Sequence, residues 1–255
     1  MILAIDIGNT HTDIGLADQD HVLKSLRVRT DEWGKKEISD RLRRFVGRRV
    51  IEGTAIASVV PAATSLVEDS IGAIFKSRCV CLSHRNVVGL GVDYPKPSSI
   101  GADRLANAMA ALNRFGGPVV VVDFGTAVTF DVVDRRGYYV GGIITPGLGA
   151  MTDYLHEKTA LLPRVTIRDP KRTIGKSTRE AMLIGAVKGY RGLISNLISE
   201  LKAELGERRL RVVATGGYAD LMAKGLPEVS IVEHYLTLDG LRLLALDCFK
   251  LSSNG

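Results

Sequence analysis

A polar turn occurs twice in this chain, each time between two strands of apolar residues. The two stretches are "AIDIGNTHTDIGL", which contains Asp6, and "VVDFGTAVTFDVV", which contains Asp123 in the same position. Each passes from a buried type of strand into Asp-x-Gly, then a Thr, then alternating apolar residues, a period that is typical of strands. Because further helix and strand patterns follow both copies, the sequence predicts a duplicated α/β fold with a cleft between its halves.

The segment "RFGGP" separates the two copies, because neighbouring Gly and Pro residues interrupt regular structure. We therefore expect an N-terminal domain at 1–115 and a C-terminal domain at 116–255. The loop at 89–101 is also rich in Gly and Pro and is predicted to be irregular. A long helix is predicted over 178–204. Its glycines destabilise a helix, so we expect another element to approach that face closely.

The composition of the 255-residue chain excludes several classes of protein. Asp6 interrupts the N-terminal apolar run, so no secretory signal is expected, and no run approaches the ~18 apolar residues of a membrane span. The three cysteines form no CxxC pair, which predicts reduced thiols and a cytoplasmic location. The net charge is +6, but the densest basic run, at 41–49, has the apolar spacing of a solvated helix. We expect anionic ligands, with neither nucleic acid nor a membrane as a partner.

The residues of the two turns are suited to binding phosphate. Gly8 and Gly125 have no Cβ, so the backbone amides beyond them can reach a phosphate oxygen. Side-chain donors accompany them at Asn9, Thr10, Thr12, Thr126 and Thr129. A carboxylate beside a phosphate repels it unless a cation lies between them. Asp6 therefore predicts Mg-ATP, Asp123 predicts a second charged species nearby, and the "ATGG" segment at 214–217 predicts a surface for the adenosine.

A third group of polar residues surrounds the start of the helix predicted over 102–114. Asp103 lies in its first turn, where the helix dipole stabilises a carboxylate, and a purely structural role explains that position equally well. Gly101 keeps the backbone open, Arg104 adds a cation, and the preceding loop carries Tyr94. This set can hold a small anionic substrate while Asp103 accepts a hydroxyl proton, as phosphoryl transfer requires.

The segment "IGKST" precedes the long predicted helix. A complete P-loop is absent, because Pro170 occupies the position where that pattern requires glycine. Ser177 or Thr178 is either the N-cap of the helix or a ligand contact, and both alternatives stay open.

Taken together, these motifs resemble one known family. "DIGNTHT", "GADR", "DFGTAVTFD", "GGIITPG", "KTALLPRV", "IGKST", "ATGG" and "LTLDGL" occur in the order found in type III pantothenate kinases, over nearly the whole chain. The resemblance implies the acetate and sugar kinase/Hsp70/actin superfamily. Its fold has two ribonuclease H-like (actin-like ATPase) domains, each a mixed five-stranded sheet with helices on both faces. The resemblance also implies ATP-dependent phosphorylation of pantothenate to 4'-phosphopantothenate, the first step of coenzyme A biosynthesis. A homodimer, Mg-ATP and a monovalent cation (K⁺ or NH₄⁺) are further implications.

The resemblance also assigns roles to single residues. Asp103 matches the family's proton acceptor, and Asp123 matches its ligand for the monovalent cation. Asp6 is expected near Mg²⁺. Contacts with ATP are expected at Asp6, Ile7, Gly8, Asn9, Thr10, His11, Thr12, Asp13 and Thr126. Contacts with pantothenate are expected at Tyr94, Gly101, Ala102, Asp103, Arg104 and Thr178.

Two alternatives to the kinase stay open. Relatives of this family have been described as transcriptional accessory factors, which can keep the fold and lose the acid or the cation site. Here the acids at Asp6, Asp103 and Asp123 are all present, which favours the kinase. A phosphatase, or a kinase for another small hydroxy acid, is compatible with the same residues because a fold does not fix its substrate. His11 and Ser177 stand where the family commonly has Asn, a difference that concerns affinity and not the reaction.

Overall fold

The computed structural model describes residues 1–251 and divides, by its internal contacts, into two compact units. The first unit contains Met1–Phe115, Gly137–Tyr139 and the C-terminal segment from Tyr235. The second contains Gly116–Arg136 and Val140–His234. The expected domains at 1–115 and 116–255 describe the two halves of the duplicated sequence, and they stay a prediction.

Each repeat begins with three consecutive strands, and helices and further strands follow them, as the sequence patterns indicate. The strands are β1 (Ile2–Ile7), β2 (His11–Ala17), β3 (Val22–Arg29), β4 (Gly53–Ser58), β5 (Cys79–Cys81), β6 (Gly91–Val92), β7 (Val119–Phe124), β8 (Ala127–Val133), β9 (Tyr138–Pro146), β10 (Arg211–Thr215) and β11 (Ile231–Val232). The α-helices are α1 (Lys36–Val46), α2 (Pro61–Phe75), α3 (Ala102–Phe115), α4 (Leu148–Lys158), α5 (Thr178–Ile184), α6 (Tyr190–Glu204), α7 (Ala219–Ala223) and α8 (Leu236–Phe249).

The first unit is built on a mixed five-stranded sheet in the order β3-β2-β1-β4-β5. Strand β1 is antiparallel to β2 and parallel to β4, and its successive side chains point to opposite faces. Ile5 and Ile7 pack with α1 and α2 in one apolar core. Asp6, between them, points to the other face. There α8 comes so close that a Cβ at Gly15 would lie 3.1 Å from Leu238 Cδ1.

The second sheet repeats this order as β9-β8-β7-β10-β11. Strand β7 is antiparallel to β8 and parallel to β10, as β1 is to β2 and β4, so the predicted duplicated α/β fold is confirmed. One further strand, β6, extends the edge of β9 by pairing Gly91 with Tyr138 and Val92 with Tyr139. The prediction of an irregular loop is therefore wrong at these two residues. An edge strand presents unpaired backbone groups, and a passing segment can pair with them.

The long helix predicted over 178–204 is interrupted in the structure. A π-helical turn at Gly185–Gly189 separates α5 from α6. A Cβ at Gly185, Gly189 or Gly192 would meet no atom within 4 Å in the part of the chain that is described. The expectation that another element approaches this face is therefore wrong, and two of these glycines instead bound the π-helical turn.

Candidate active site

The first polar turn connects β1 to β2, and its acidic residue is part of a row across the sheet. Asp6 on β1 pairs in register with Asp13 on β2, which pairs with Arg27 on β3. Arg27 donates to both carboxylate oxygens of Asp13, at 2.7 Å from Nε and 2.8 Å from Nη2. The Asp13 carboxylate is thereby neutralised by Arg27. Asp6, the second acid, lies near the end of β1, where the turn begins.

The backbone of this turn is presented on the surface. Gly8 N–H donates to the carbonyl of His11 at 3.0 Å, and the side chains of Asn9, Thr10 and His11 are exposed. A Cβ at Gly8 would lie 3.0 Å from the His11 oxygen, which is tighter than a normal contact. Ile7 is fully buried, and its side chain packs in the apolar core of the first unit. The turn is thus a tight loop with polar side chains and backbone at its tip.

Buried side chains support this turn from the opposite side. Thr12 is fully buried, and its hydroxyl lies 3.1 Å from Trp33 Nε1 and 3.1 Å from the Thr30 hydroxyl. Thr30 in turn donates its hydroxyl to the Gly8 carbonyl at 2.7 Å. The Thr12 hydroxyl is therefore bonded inside the protein, and a contact of Thr12 with ATP stays a prediction. Sequence analysis missed Thr30 and Trp33, because only the pairing of β2 with β3 brings them to the turn.

Asp103 lies in the first turn of α3, as predicted. Its Oδ1 accepts the backbone N–H of Arg104 at 2.9 Å, and the side chain is partly exposed. A Cβ at Gly101 would collide with that same oxygen, so glycine is required there for this orientation of the carboxylate. Ala102, between them, is buried. The start of α3 therefore holds one acid in a defined position.

Tyr139 brings two predicted substrate contacts together. The guanidinium carbon of Arg104 lies 5.8 Å from the centre of the Tyr139 ring, within the range of a cation–π contact. The ring of Tyr94 meets the same ring edge-on, with centroids 6.2 Å apart and planes at 67°. Tyr139 is fully buried, so it supports both side chains from beneath. Sequence analysis missed Tyr139, because the pairing of β6 with β9 that places it beside Tyr94 was not predicted.

The second polar turn lies in the second unit and is shorter. Gly125 N–H donates to the carbonyl of Ala127 at 3.1 Å, and Thr126 between them is exposed. Gly147, from "GGIITPG", donates its N–H to the Thr126 carbonyl at 3.1 Å. A Cβ at Gly147 would lie 2.6 Å from the Gly125 oxygen, so only glycine fits there.

Gly216, from "ATGG", packs against the acid of the second turn. A Cβ at Gly216 would lie 2.7 Å from Phe124 N and would collide with Asp123 Oδ1. Its φ of +89° is a backbone conformation that favours glycine. The structure therefore brings together three motifs that are far apart in the sequence: those of Asp123, Gly147 and Gly216.

The N-terminus of α5 resolves one of the open alternatives. Ser177 is the N-cap residue, and its hydroxyl accepts the N–H of Glu180 at 3.3 Å. Glu180 reaches back to accept the N–H of Lys176 at 2.7 Å. Thr178 is the first residue of the helix and is exposed. The capping role therefore belongs to Ser177, and a ligand contact of Thr178 stays a prediction.

The acids of the first turn fit a magnesium ion that is bound together with a nucleotide. Mg²⁺ commonly takes one or two protein carboxylates and completes its shell with waters and substrate phosphates. Asp6 provides one such carboxylate near the end of β1, beside Asp13, which is bonded to Arg27. Within residues 1–251 no group of three or more His, Cys, Asp or Glu side chains could hold a metal ion alone. A magnesium ion at this turn would complete its shell with waters and phosphate oxygens.

The cysteines are poor candidates for chemistry at neutral pH. Burial, with a further contribution from the Glu68 carboxylate, raises the pKa of Cys79 to about 11 and that of Cys81 to about 12. Both thiols are therefore protonated near pH 7, and a protonated thiol is a weak nucleophile.

Comparisons with known proteins agree with the fold and with the resemblance of the motifs. A family model described as type III pantothenate kinase matches residues 2–200. A type III pantothenate kinase of Akkermansia muciniphila is 44% identical over 244 residues, which cover 95% of this chain and 97% of that protein.

Two solved structures share the fold at low identity. One is a conserved Campylobacter jejuni protein provisionally assigned to the Baf family of transcriptional activators. It has a TM-score of 0.62 at 17% identity, over 98% of this chain and 100% of that one. The other is the activator of the 2-hydroxyisocaproyl-CoA dehydratase from Clostridium difficile with bound ADPNP. Its TM-score is 0.51 at 14% identity, over 98% and 96% of the two chains. At these identities the likeness concerns the fold alone.

Proposed function

The chain belongs to the type III pantothenate kinase family, and from that premise we propose that it transfers the γ-phosphoryl group of Mg-ATP to pantothenate. The primary hydroxyl oxygen of pantothenate forms the new bond to the γ-phosphorus. The bond from that phosphorus to the β–γ bridging oxygen breaks, and ADP leaves with its electron pair. The hydroxyl proton passes to an acid of the protein, and the products are 4'-phosphopantothenate and ADP.

Asp103 is the acid that we propose as the general base. The observation that carries this assignment is the arrangement at the start of α3. Its Oδ1 is held by the Arg104 N–H at 2.9 Å, so Oδ2 is the oxygen that can accept the proton. The guanidinium of the next residue, Arg104, lies against the Tyr139 ring and can bind the carboxylate of pantothenate. An acid and a cation that are neighbours in the sequence suit an anionic substrate that carries a hydroxyl group.

The first turn, residues 6–13, is proposed to hold the phosphates of ATP. Asp6 would hold Mg²⁺, which supplies neutralisation of the charge that develops on the phosphoryl oxygens. Asn9, Thr10 and His11 are exposed at the tip of the turn, where they can donate to phosphate oxygens. Support for this assignment comes from the tight backbone at Gly8 and from the position of the Asp6 carboxylate near the end of β1, where the turn begins.

The second turn is proposed to serve ATP through Thr126 and a monovalent cation through Asp123. Thr126 is exposed at its tip, and the glycines at 147 and 216 enclose the turn so closely that no side chain could intrude. We propose K⁺ or NH₄⁺ as the monovalent cation, held by the Asp123 carboxylate. Thr178 and Tyr94 are proposed as further contacts of pantothenate.

The remaining partners follow from the family and stay proposals. We propose a homodimer in the cytoplasm, with neither nucleic acid nor a membrane as a partner. None of the helices in the described chain, residues 1–251, is long and apolar enough to cross a membrane.

The proposal is tested by pantothenate-dependent ADP release from the purified protein, measured with K⁺ and then with Na⁺. We expect release in K⁺, and a fall of about 100- to 10,000-fold in Asp103→Asn, since that is the usual contribution of a general base. Mg-ATP binding, measured by calorimetry, should be unchanged in the same variant.

Asp220→Asn is the matched control, because Asp220 also lies in the first turn of a helix, α7, and is exposed. This variant should keep its turnover. Turnover like that of the wild type in Asp103→Asn would remove Asp103 from the mechanism. If the wild type released no ADP with either cation, the accessory role would replace the kinase. Activity with another hydroxy acid but not with pantothenate would instead change the substrate.

A further inference from the structure

A chain of buried hydrogen bonds ends on the carbonyl of Gly8. It runs from Trp33 Nε1 to the Thr12 hydroxyl (3.1 Å), to the Thr30 hydroxyl (3.1 Å) and to the Gly8 oxygen (2.7 Å). Trp33 and Thr30 are exposed by only 5% and 8%, and Thr12 not at all, so water does not compete for these bonds. These hydrogen bonds link the apolar core of the first unit, in which Trp33 packs, to the first polar turn, residues 6–13, which is called the phosphate turn below.

The direction of every bond in this chain is fixed by the number of donors. The indole of Trp33 can only donate, and the Gly8 carbonyl can only accept. The Thr30 hydroxyl uses its one hydrogen on Gly8, so it must accept from Thr12, whose hydrogen is then used as well. All three donors therefore point toward the turn, and removing any one of them changes the bond that follows.

Thr30 holds the turn at two points. Its hydroxyl binds the Gly8 carbonyl, and its backbone N–H donates to the Thr10 carbonyl at 3.0 Å. In a planar trans peptide the carbonyl and the following N–H point in opposite directions. Fixing the Gly8 carbonyl toward Thr30 therefore directs the N–H of Asn9 away from the buried chain, toward the exposed side of the turn.

We propose that Thr30, through the chain from Trp33 and Thr12, is a positioning residue that orients the phosphate turn before ATP binds. The inference rests on the proposed function of the turn in binding Mg-ATP. Preorganised backbone donors lose little conformational freedom when a ligand arrives, which improves affinity without any new contact. Thr30 itself is only 8% exposed and acts through its bonds to the Gly8 and Thr10 carbonyls.

The test measures the binding of Mg-ATP by calorimetry in the absence of pantothenate. Thr30→Val keeps the shape of the side chain and removes the hydroxyl, and we expect the Kd to rise about 10-fold. Thr30→Ser restores the hydroxyl and should bring the Kd to within about 2-fold of the wild type. Trp33→Phe removes the donor at the far end of the hydrogen-bond chain together with part of the buried ring, and we expect a smaller rise in the Kd, about 2- to 3-fold.

Thr54→Val provides the matched control. Thr54 is likewise a buried threonine of the first unit, on β4, and its hydroxyl lies 3.0 Å from the Ser77 hydroxyl, away from the turn. It should lower the melting temperature about as much as Thr30→Val and leave the Kd for Mg-ATP unchanged. In steady-state assays Thr30→Val should raise the KM for ATP with little change in kcat or in the KM for pantothenate.

Two results would overturn the inference: an unchanged Kd in Thr30→Val, or an equal rise in Thr54→Val. Failure of the proposed function looks different. A wild type that binds Mg-ATP but does not phosphorylate pantothenate would overturn the substrate and leave the positioning role intact. A wild type that binds no Mg-ATP would overturn both proposals.

Discussion

The two polar turns occupy the same place in the two repeats, but they are held by different means. The first turn is supported from behind by side chains, through Thr30 and Thr12. The second is enclosed by backbone, because Gly147 and Gly216 pack directly against it. The first turn is also one residue longer. Its glycine bonds the carbonyl three residues later, at His11, whereas the glycine of the second bonds the carbonyl two residues later.

The two turns also differ in the residue that the following strand places opposite the acid. Asp6 faces Asp13 across the sheet, and Asp123 faces Thr129. The first turn thus gathers two acids and a compensating Arg27, and the second gathers one acid and a hydroxyl. Both acids occupy the same position in the repeat, but the residues that face them differ. On the proposed function, the first turn suits a divalent cation with polyphosphate and the second a monovalent cation.

The largest expected effect on turnover comes from replacing the acids of the two turns, Asp6 and Asp123. Asp6→Asn should reduce turnover about 100- to 1,000-fold, the usual size of losing one preorganised charge at a reacting centre. It should also raise the Mg²⁺ concentration needed for half-maximal rate. Asp123→Asn should instead remove the difference between K⁺ and Na⁺. ADP release titrated with each cation at constant ionic strength measures both.

The two acid variants serve as controls for each other. Each should leave the other cation's dependence unchanged, because the two turns are supported independently. If both variants lost the response to the same cation, the assignment of Mg²⁺ to the first turn and of the monovalent cation to the second would be wrong.

A smaller effect is expected from filling the space beside the second turn. Gly216→Ala should lower the free energy of unfolding by about 2–3 kcal/mol, because alanine must adopt the φ of +89° and its Cβ meets Phe124 N at 2.7 Å. Gly217→Ala, where a Cβ would meet nothing within 4 Å, should change it by less than about 0.5 kcal/mol. Urea denaturation of the two variants checks this. Equal stability would show that the packing against Asp123 can relax.

The smallest effect distinguishes the glycines of the turns themselves. A Cβ at Gly8 would lie 3.0 Å from the His11 oxygen, whereas a Cβ at Gly125 would lie 3.4 Å from the Ala127 oxygen, an ordinary contact. Gly8→Ala should therefore destabilise the protein by about 1 kcal/mol, and Gly125→Ala by less than about 0.5 kcal/mol. Thermal unfolding compares them directly. The reverse order would mean that the shorter turn is the more constrained one.

The sequence predicted the parts of the fold that depend on local pattern. Both turns, the strands around them and the position of Asp103 at a helix start follow from apolar periodicity and from glycine beside acid. The residues that it missed depend on pairing between distant segments. Tyr139 reaches Tyr94 only through the pairing of β6 with β9, and Trp33 reaches Thr12 only because β3 returns beside β2.

The π-helical turn was missed for a related reason. Glycine spacing inside a helix predicts either a close neighbour or an irregular turn, and propensity alone does not choose between them. The proton-accepting role of Asp103 was inferred from the residues around it and matches the family resemblance. The monovalent-cation role of Asp123 came from the resemblance alone, and both roles stay predictions.

The C-terminal helix α8 belongs to the first unit, although it follows the whole of the second in sequence. It covers one face of the first sheet, and Leu238, Leu241 and Leu244 are buried. During synthesis the N-terminal half therefore leaves the ribosome with an apolar surface that stays uncovered until α8 is made. An N-terminal fragment ending near residue 115 lacks this helix and should aggregate.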